Sequence, residues 1–175
     1  IIPRTSGALG FARTLPGDHY LTSRVQLMDR MCVTLGGRVA EELFFQEITS
    51  GAQNDLEKVT QWAYNSVAVL GMDAKLGPVS FKNSGEEAKY SEATAELIDV
   101  QVRELIRSAH ARTTELLQKH KEGMKALALA LLEKENVSRE DIEAILGPRP
   151  FASKHAYDDF VKEEKRKTII APEDP

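Results

Sequence analysis

In TSGAQNDLEKVTQWAYNSVAVLG, residues 49 to 71, a Gly-containing turn delivers Asn54 and Asp55 to the front of a helical pattern. A carboxylate in that place has an ordinary reason, because the N–H groups and partial positive charge of a helix start stabilise it by ~0.3–1 kcal/mol. It also has a chemical one: an Asp oxygen is a good donor to a cation such as zinc. The other metal-binding side chains must decide between the two. Four histidines occur, His19, His110, His120 and His155. None starts an H-E-x-x-H run or has a second histidine four residues on, the spacing that puts two imidazoles on one helix face. His19 lies in the turn PGDHY, His155 near the C-terminal end, and His110 and His120 fall off a common helix face, so each reads as a surface or packing side chain. With no nucleophilic triad, phosphate-cradling loop or Cys cluster either, the chain by itself encodes no complete catalytic site.

Glu41 is the second candidate, and its position depends on the helix that carries it. Ser23 with Gln26 forms a capping box, and the helix it opens should run to about Phe45. Val25, Met28, Cys32, Leu35, Val39 and Leu43 recur at steps of three and four, which predicts one buried stripe. Thr34, Gly37 and Glu41 lie on another face, flanked by Gly36 and Ala40. Each glycine inside a helix costs ~1 kcal/mol relative to Ala, so the pair asks for a packing reason, and close approach by another backbone is the obvious one. Glu41 would then face that neighbour instead of water.

The remaining pattern is mostly helical. Residues 1–16, IIPRTSGALGFARTLP, carry Pro and Gly around a short β-type run at 8–14, which reads as a strand or hairpin near a sheet edge. After TSGAQ a helix should bury Leu56, Val59, Ala63, Val67 and Leu70 and stop at Gly71. Residues 75–81, KLGPVSF, read as a short strand and 82–90 as a polar loop. Ser91 caps a long helix with the stripe Ile98, Val102, Leu105, Ala109, Thr113, Leu116 and His120. Gly123 should interrupt it, Met124 to Leu132 form another helix, and Ser138 with Asp141 open a last one carrying Ile142, Ile145 and Leu146. GPRPF ends the regular pattern near residue 151, and residues 152–175 read as a flexible charged tail. The expectation is one mainly α domain over 1–151 with a small β element at its start.

Composition narrows the partners. With 175 residues, 42% hydrophobic and 29% charged, the chain is an ordinary globular domain with enough length for a core. A net charge of −4 gives no reason to expect nucleic acid. No apolar run approaches the ~18 residues of a membrane span, so any membrane attachment would come from segments outside this sequence. Cys32, the single cysteine, reads as a small buried hydrophobe. The opening IIPR, with neither an initiator Met nor a targeting segment, reads as the start of a piece of a longer protein.

The ordered set IIPR, ALGFA, LP, LGGRVAEELFF, TSGAQNDLEKVT and LGPVSF closely resembles the peptidase domain of the FtsH-type AAA metalloproteases. It covers residues 1 to about 151, and GPRPF with SGAQNDLEKVT is most similar to the mitochondrial m-AAA branch. The resemblance implies a helical metallopeptidase domain whose HExxH helix, supplying two zinc-binding histidines and the general-base Glu, lies upstream of IIPR. It implies that Asp55 is the third zinc ligand, which leaves a fourth position for water. It further implies that Glu41 contacts a zinc histidine and orients it by accepting the other ring N–H. The run Leu9, Gly10, Phe11 and Ala12 would be an edge strand that pairs with an extended substrate.

The intact parent, on the same resemblance, is an ATP-dependent zinc endopeptidase of the mitochondrial inner membrane, facing the matrix. It would carry one zinc per protomer and ATP with Mg in an AAA module, neither site complete here. Identical or paralogous protomers would form a hexameric ring that degrades unfolded or membrane-derived polypeptides, and this piece alone would be inactive. The rival expectation is a non-catalytic helical scaffold or pseudoprotease, in which Asp55 and Glu41 serve only structure.

Overall fold

The structure is a computed structural model that describes residues 21–45, 47–81 and 90–150. The expected β element, with Leu9 to Ala12, and the charged tail lie outside the described residues. The chain divides into two units, a larger one of residues 3–121 and a smaller one that takes in residues 122–175.

In the larger unit, α1 (Arg24–Phe45) packs chiefly on α3 (Glu92–Lys119) and also on α2 (Gln53–Tyr64). The expected capping box starts α1: Ser23 Oγ accepts from the Gln26 N–H at 3.2 Å, and Gln26 Oε1 accepts from the Ser23 N–H at 2.9 Å. Its buried stripe is Leu27, Met31, Leu35 and Val39. The predicted stripe shares Leu35 and Val39 with it but is out of phase nearer the N-terminus, since Met28 and Cys32 only flank the core and Val25 is 67% exposed. Met31 and Leu35, at most 1% exposed, cluster with Val59, Ala63, Val67, Ile98 and Ala109. Burying such a side chain is worth roughly 1.5–3 kcal/mol, so this cluster dominates the unit's stability.

Polar ties fix the angle between α1 and α3. Arg112 reaches Asp29 at 2.7 Å, and the Cys32 thiol donates to the Ala109 carbonyl at 3.5 Å. Cys32 is therefore half-buried and packed, as its apolar neighbours suggested. Leu116 and His120, predicted for the buried face of α3, are exposed, because α1 and α2 cover α3 only to about Thr113.

α2 ends in a π turn, Asn65–Val69, in which the Leu70 N–H reaches back to the Asn65 carbonyl at 2.8 Å. The wider turn buries three consecutive residues, Ser66, Val67 and Ala68, and breaks the helical phase, so Leu70 is 54% exposed. Leu56, at the other end, is 37% exposed. Gly71 then takes φ +59°, a left-handed stop, as its place after the stripe predicts. Residues 75–81 are not the predicted strand: they form a turn and an irregular run, tied back by the Phe81 N–H to the Ala68 carbonyl at 2.6 Å. No described segment pairs with them; Gly77 at φ +83° and Pro78 interrupt the extended backbone that a ladder would need.

In the smaller unit α4 (Lys121–Lys134) and α5 (Arg139–Leu146) contain no fully buried residue. Gly123 does not interrupt a helix as predicted but lies inside the first turn of α4, the break falling at His120. A Cβ there would stand 2.5 Å from Leu146 Cδ2, which supplies the packing reason for glycine. The predicted Ser138–Asp141 capping box is complete at the start of α5.

Candidate functional site

α1 and the turn before α2 meet through one residue. Thr49, in extended backbone (φ −109°, ψ 170°), caps the 3-10 turn Ser50–Ala52 by accepting from the Gly51 N–H at 3.2 Å. Its hydroxyl donates to Glu41 Oε1 at 2.6 Å, and its own N–H donates to Glu41 Oε2 at 3.2 Å. Its carbonyl accepts from Arg38 Nη1 at 3.3 Å. Every hydrogen-bonding group of Thr49 is thus held, and all three non-local partners belong to α1. The Thr49 hydroxyl, then its N–H, then the nearby Arg38 charge hold the Glu41 carboxyl below its ordinary value of 4.5. Gly51 suits this closeness: a Cβ would lie 3.2 Å from Thr49 Oγ1, so the hydroxyl that holds Glu41 would have to shift by a few tenths of an ångström.

From Ser50 the chain is helical without a break, the 3-10 turn passing straight into α2, which carries Asp55 in its first turn. The Asp55 side chain is 49% exposed, and Oδ1 accepts from Lys58 Nζ at 3.2 Å. A half-exposed pair of this kind contributes little to stability and separates easily. Asp55 is therefore a carboxylate on a rigid helix start with no strong partner to hold it away from a cation. Glu41 and Asp55 are connected through the turn.

Behind Arg38 a second line of contacts runs to α3. Arg38 Nε donates to Glu42 Oε1 at 3.2 Å, and Glu42 Oε2 lies 3.0 Å from His110 Nε2. His110 is thus a helix-packing imidazole, the role its isolation in the sequence suggested. His120 is exposed, whereas His19 and His155 lie outside the described residues.

The glycine face of α1 is open. A Cβ on Gly36 or Gly37 meets nothing within 4 Å, so no described residue makes the close approach that the glycines predict. Among the described residues no three His, Cys, Asp or Glu side chains gather to hold a metal ion. The donor set fits one corner of a zinc shell: Asp55 offers an exposed carboxylate oxygen, and further ligands have to come from elsewhere. A cavity of about 160 Å³ is lined by Arg24, Ser66, Asp73 and Gln101 among others, and neither Asp55 nor Glu41 contributes to it.

Sequence reasoning singled out Asp55 and Glu41 and missed Thr49, Arg38 and Glu42. Two signals were there: Arg38 precedes Glu41 and Glu42 by three and four residues, the spacing of facing helical partners, and Thr49 is a capping type at the mouth of a Gly turn.

The class of protein comes from sequence comparison. The model of peptidase family M41 matches residues 1–145, and the chain belongs to that family. It is 54% identical over 167 residues to the mitochondrial inner membrane m-AAA protease component AFG3L1 of Mus musculus, across 93% of this chain and 21% of that protein. To AFG3L2 of the same species it is 51% identical over the same shares. The ATP-dependent zinc metalloprotease FtsH of Rhodothermus marinus is 46% identical over 158 residues, 86% of this chain and 23% of the bacterial protein. The chain thus spans about a fifth of the length of these relatives.

Proposed function

We propose that this chain is the peptidase region of an ATP-dependent zinc metalloendopeptidase, in which Asp55 provides one of three protein ligands to a single zinc. The observation that carries this is the presentation of Asp55: an exposed carboxylate in the first turn of α2, whose leading turn is tied through Thr49 to α1. A histidine pair and a general-base Glu would come from an HExxH helix that closes on Gly36 and Gly37. When bound, zinc polarises the scissile carbonyl and acidifies a water.

This chain's own residues hold and orient. Asp55 would hold the metal through a carboxylate oxygen, which its exposed pairing with Lys58 leaves available. Glu41 keeps its carboxylate ionised through Thr49 and has lone pairs left over, so it can also accept the second N–H of a ligating imidazole. On the family resemblance, we further propose that residues 9–12 contact the substrate. Relatives named as zinc metalloproteases and as inner-membrane m-AAA components support this reading over a scaffold. The same names support a mitochondrial inner-membrane parent, and we propose that its peptidase region faces the matrix. We further propose that its protomers assemble as a hexamer with ATP and Mg in a separate module, and that its substrates are unfolded or membrane-derived polypeptides.

The test is metal stoichiometry. The 175-residue chain should hold no zinc through dialysis, and a chain extended upstream through the HExxH helix should hold about one. Asp55→Ala in the extended chain should lose the metal and peptide hydrolysis with its helical signal kept. Full zinc and full hydrolysis in that variant would remove the assignment.

A further inference from the structure

We infer that Arg38 is a positioning residue for the metal-bearing turn: through the Thr49 carbonyl it sets where the Asp55 carboxylate stands. The inference rests on the proposal that Asp55 is a zinc ligand. Arg38 offers a planar fork of donors, and its two ends go to different elements, Nε to Glu42 Oε1 at 3.2 Å and Nη1 to the Thr49 carbonyl at 3.3 Å. Glu42 is itself fixed from α3, since its second oxygen lies 3.0 Å from His110 Nε2. The guanidinium, on a side chain only 18% exposed, is therefore oriented from behind before it meets the turn.

Thr49 is the point at which orientation matters. Glu41 holds its N–H and hydroxyl, which fixes the peptide plane before it. Arg38 holds its carbonyl, which fixes the plane after it. With both planes set, neither backbone torsion of Thr49 is free. The 3-10 turn Ser50–Ala52 passes into α2 at the buried Ala52 (φ −83°, ψ 3°), so a rotation at Thr49 is carried along five residues of backbone to Asp55. A zinc ligand tolerates about 0.2 Å of error, so a small swing is enough to loosen the metal. An ordinary surface ion pair within α1 would reach Glu42 alone and leave the turn untouched. Lysine could not substitute, being a point charge that cannot hold a carboxylate and a carbonyl in one plane.

The test separates the clamp from the metal assignment. In the 175-residue chain, Arg38→Ala should speed hydrogen exchange of the Thr49 and Gly51 amides by roughly 10-fold, with exchange inside α3 unchanged. In the upstream-extended chain, the same substitution should weaken zinc affinity, read by chelator competition, by ~10–100-fold. Arg38→Lys should behave nearly like Arg38→Ala in both; it keeps the stem and charge, and so carries the reading if the alanine variant loses its helical signal. Asp55→Ala should abolish zinc binding while leaving Gly51 exchange as it was. Unchanged exchange in both Arg38 variants, or faster exchange with unaltered zinc affinity, would overturn the inference. Zinc retained by Asp55→Ala would instead overturn the ligand assignment beneath it.

Discussion

The larger unit and the α4–α5 unit are both helical, yet they are held by different forces. In the first, Met31, Val39, Ala63 and Val67 are at most 1% exposed, and polar contacts adjust the angles of elements already packed. In the second no described residue is fully buried; Leu129 and Leu132 are 57% and 70% exposed, and a left-handed Glu135 (φ 56°) follows the helix that carries them. What organises it is a joint of charges and caps. Lys134 Nζ reaches Asp141 Oδ1 at 2.6 Å, Asp141 also closes the box on Ser138, and Arg139 pairs with Glu143 at 2.7 Å. Asp55, the carboxylate we propose as a zinc ligand, lies on the first kind of structure.

That contrast can be broken most sharply at Met31. Met31→Ala should destabilise the larger unit by ~2–5 kcal/mol, seen as a lower denaturant midpoint, whereas Leu132→Ala should stay within ~0.5 kcal/mol. Equal losses would show that α4 has a core of its own. Ser138→Ala should come next, at ~0.5–2 kcal/mol, and appear as faster amide exchange confined to residues 139–146.

Titration should distinguish the two units as well. A carboxyl whose pKa is depressed by folding contributes stability above its unfolded value and loses it as pH falls through the folded one. Glu41 should therefore release Thr49 in acid, with Gly51 exchange rising progressively below about pH 4.5 after correction for the intrinsic rate. Asp141, depressed first by Lys134 and then by Ser138, should fail later in acid. Lys134, raised by Asp141, contributes below its ordinary 10.5 and loses that contribution as pH climbs past its folded value, so the α4–α5 joint should loosen at alkaline pH. The smallest expected effect is Gly123→Ala. Its new methyl meets the flexible end of Leu146, and the gain of ~1 kcal/mol in helix propensity should offset the displacement, leaving stability within ~1 kcal/mol of the parent.

Much of this was legible in the sequence because it is local. Ser23–Gln26, Ser91, Gly71 and the Ser138–Asp141 box act within a few residues, and each cap stands where its residue types placed it. Phase was harder. The stripe of α1 was drawn through Val25 and Met28 and missed Leu27 and Met31, because a helix apolar on adjacent faces does not say which face α3 will cover. Leu70 was lost to a π turn, which shifts register with no mark in composition. Residues 75–81 had the composition of a strand but no described partner, and a strand needs one. At the site, Asp55 and Glu41 were visible through family resemblance, whereas the Thr49 clamp joins residues eight to eleven positions apart that only tertiary contact reveals.

The central claim is that Asp55 enters a zinc shell, and a zinc-edge anomalous map of the upstream-extended chain tests it most directly. An Asp55 oxygen at ~2.0–2.2 Å from the zinc peak, with Lys58 released, is the outcome this account requires. Asp55 still paired with Lys58 and a different donor filling that corner of the shell would contradict it.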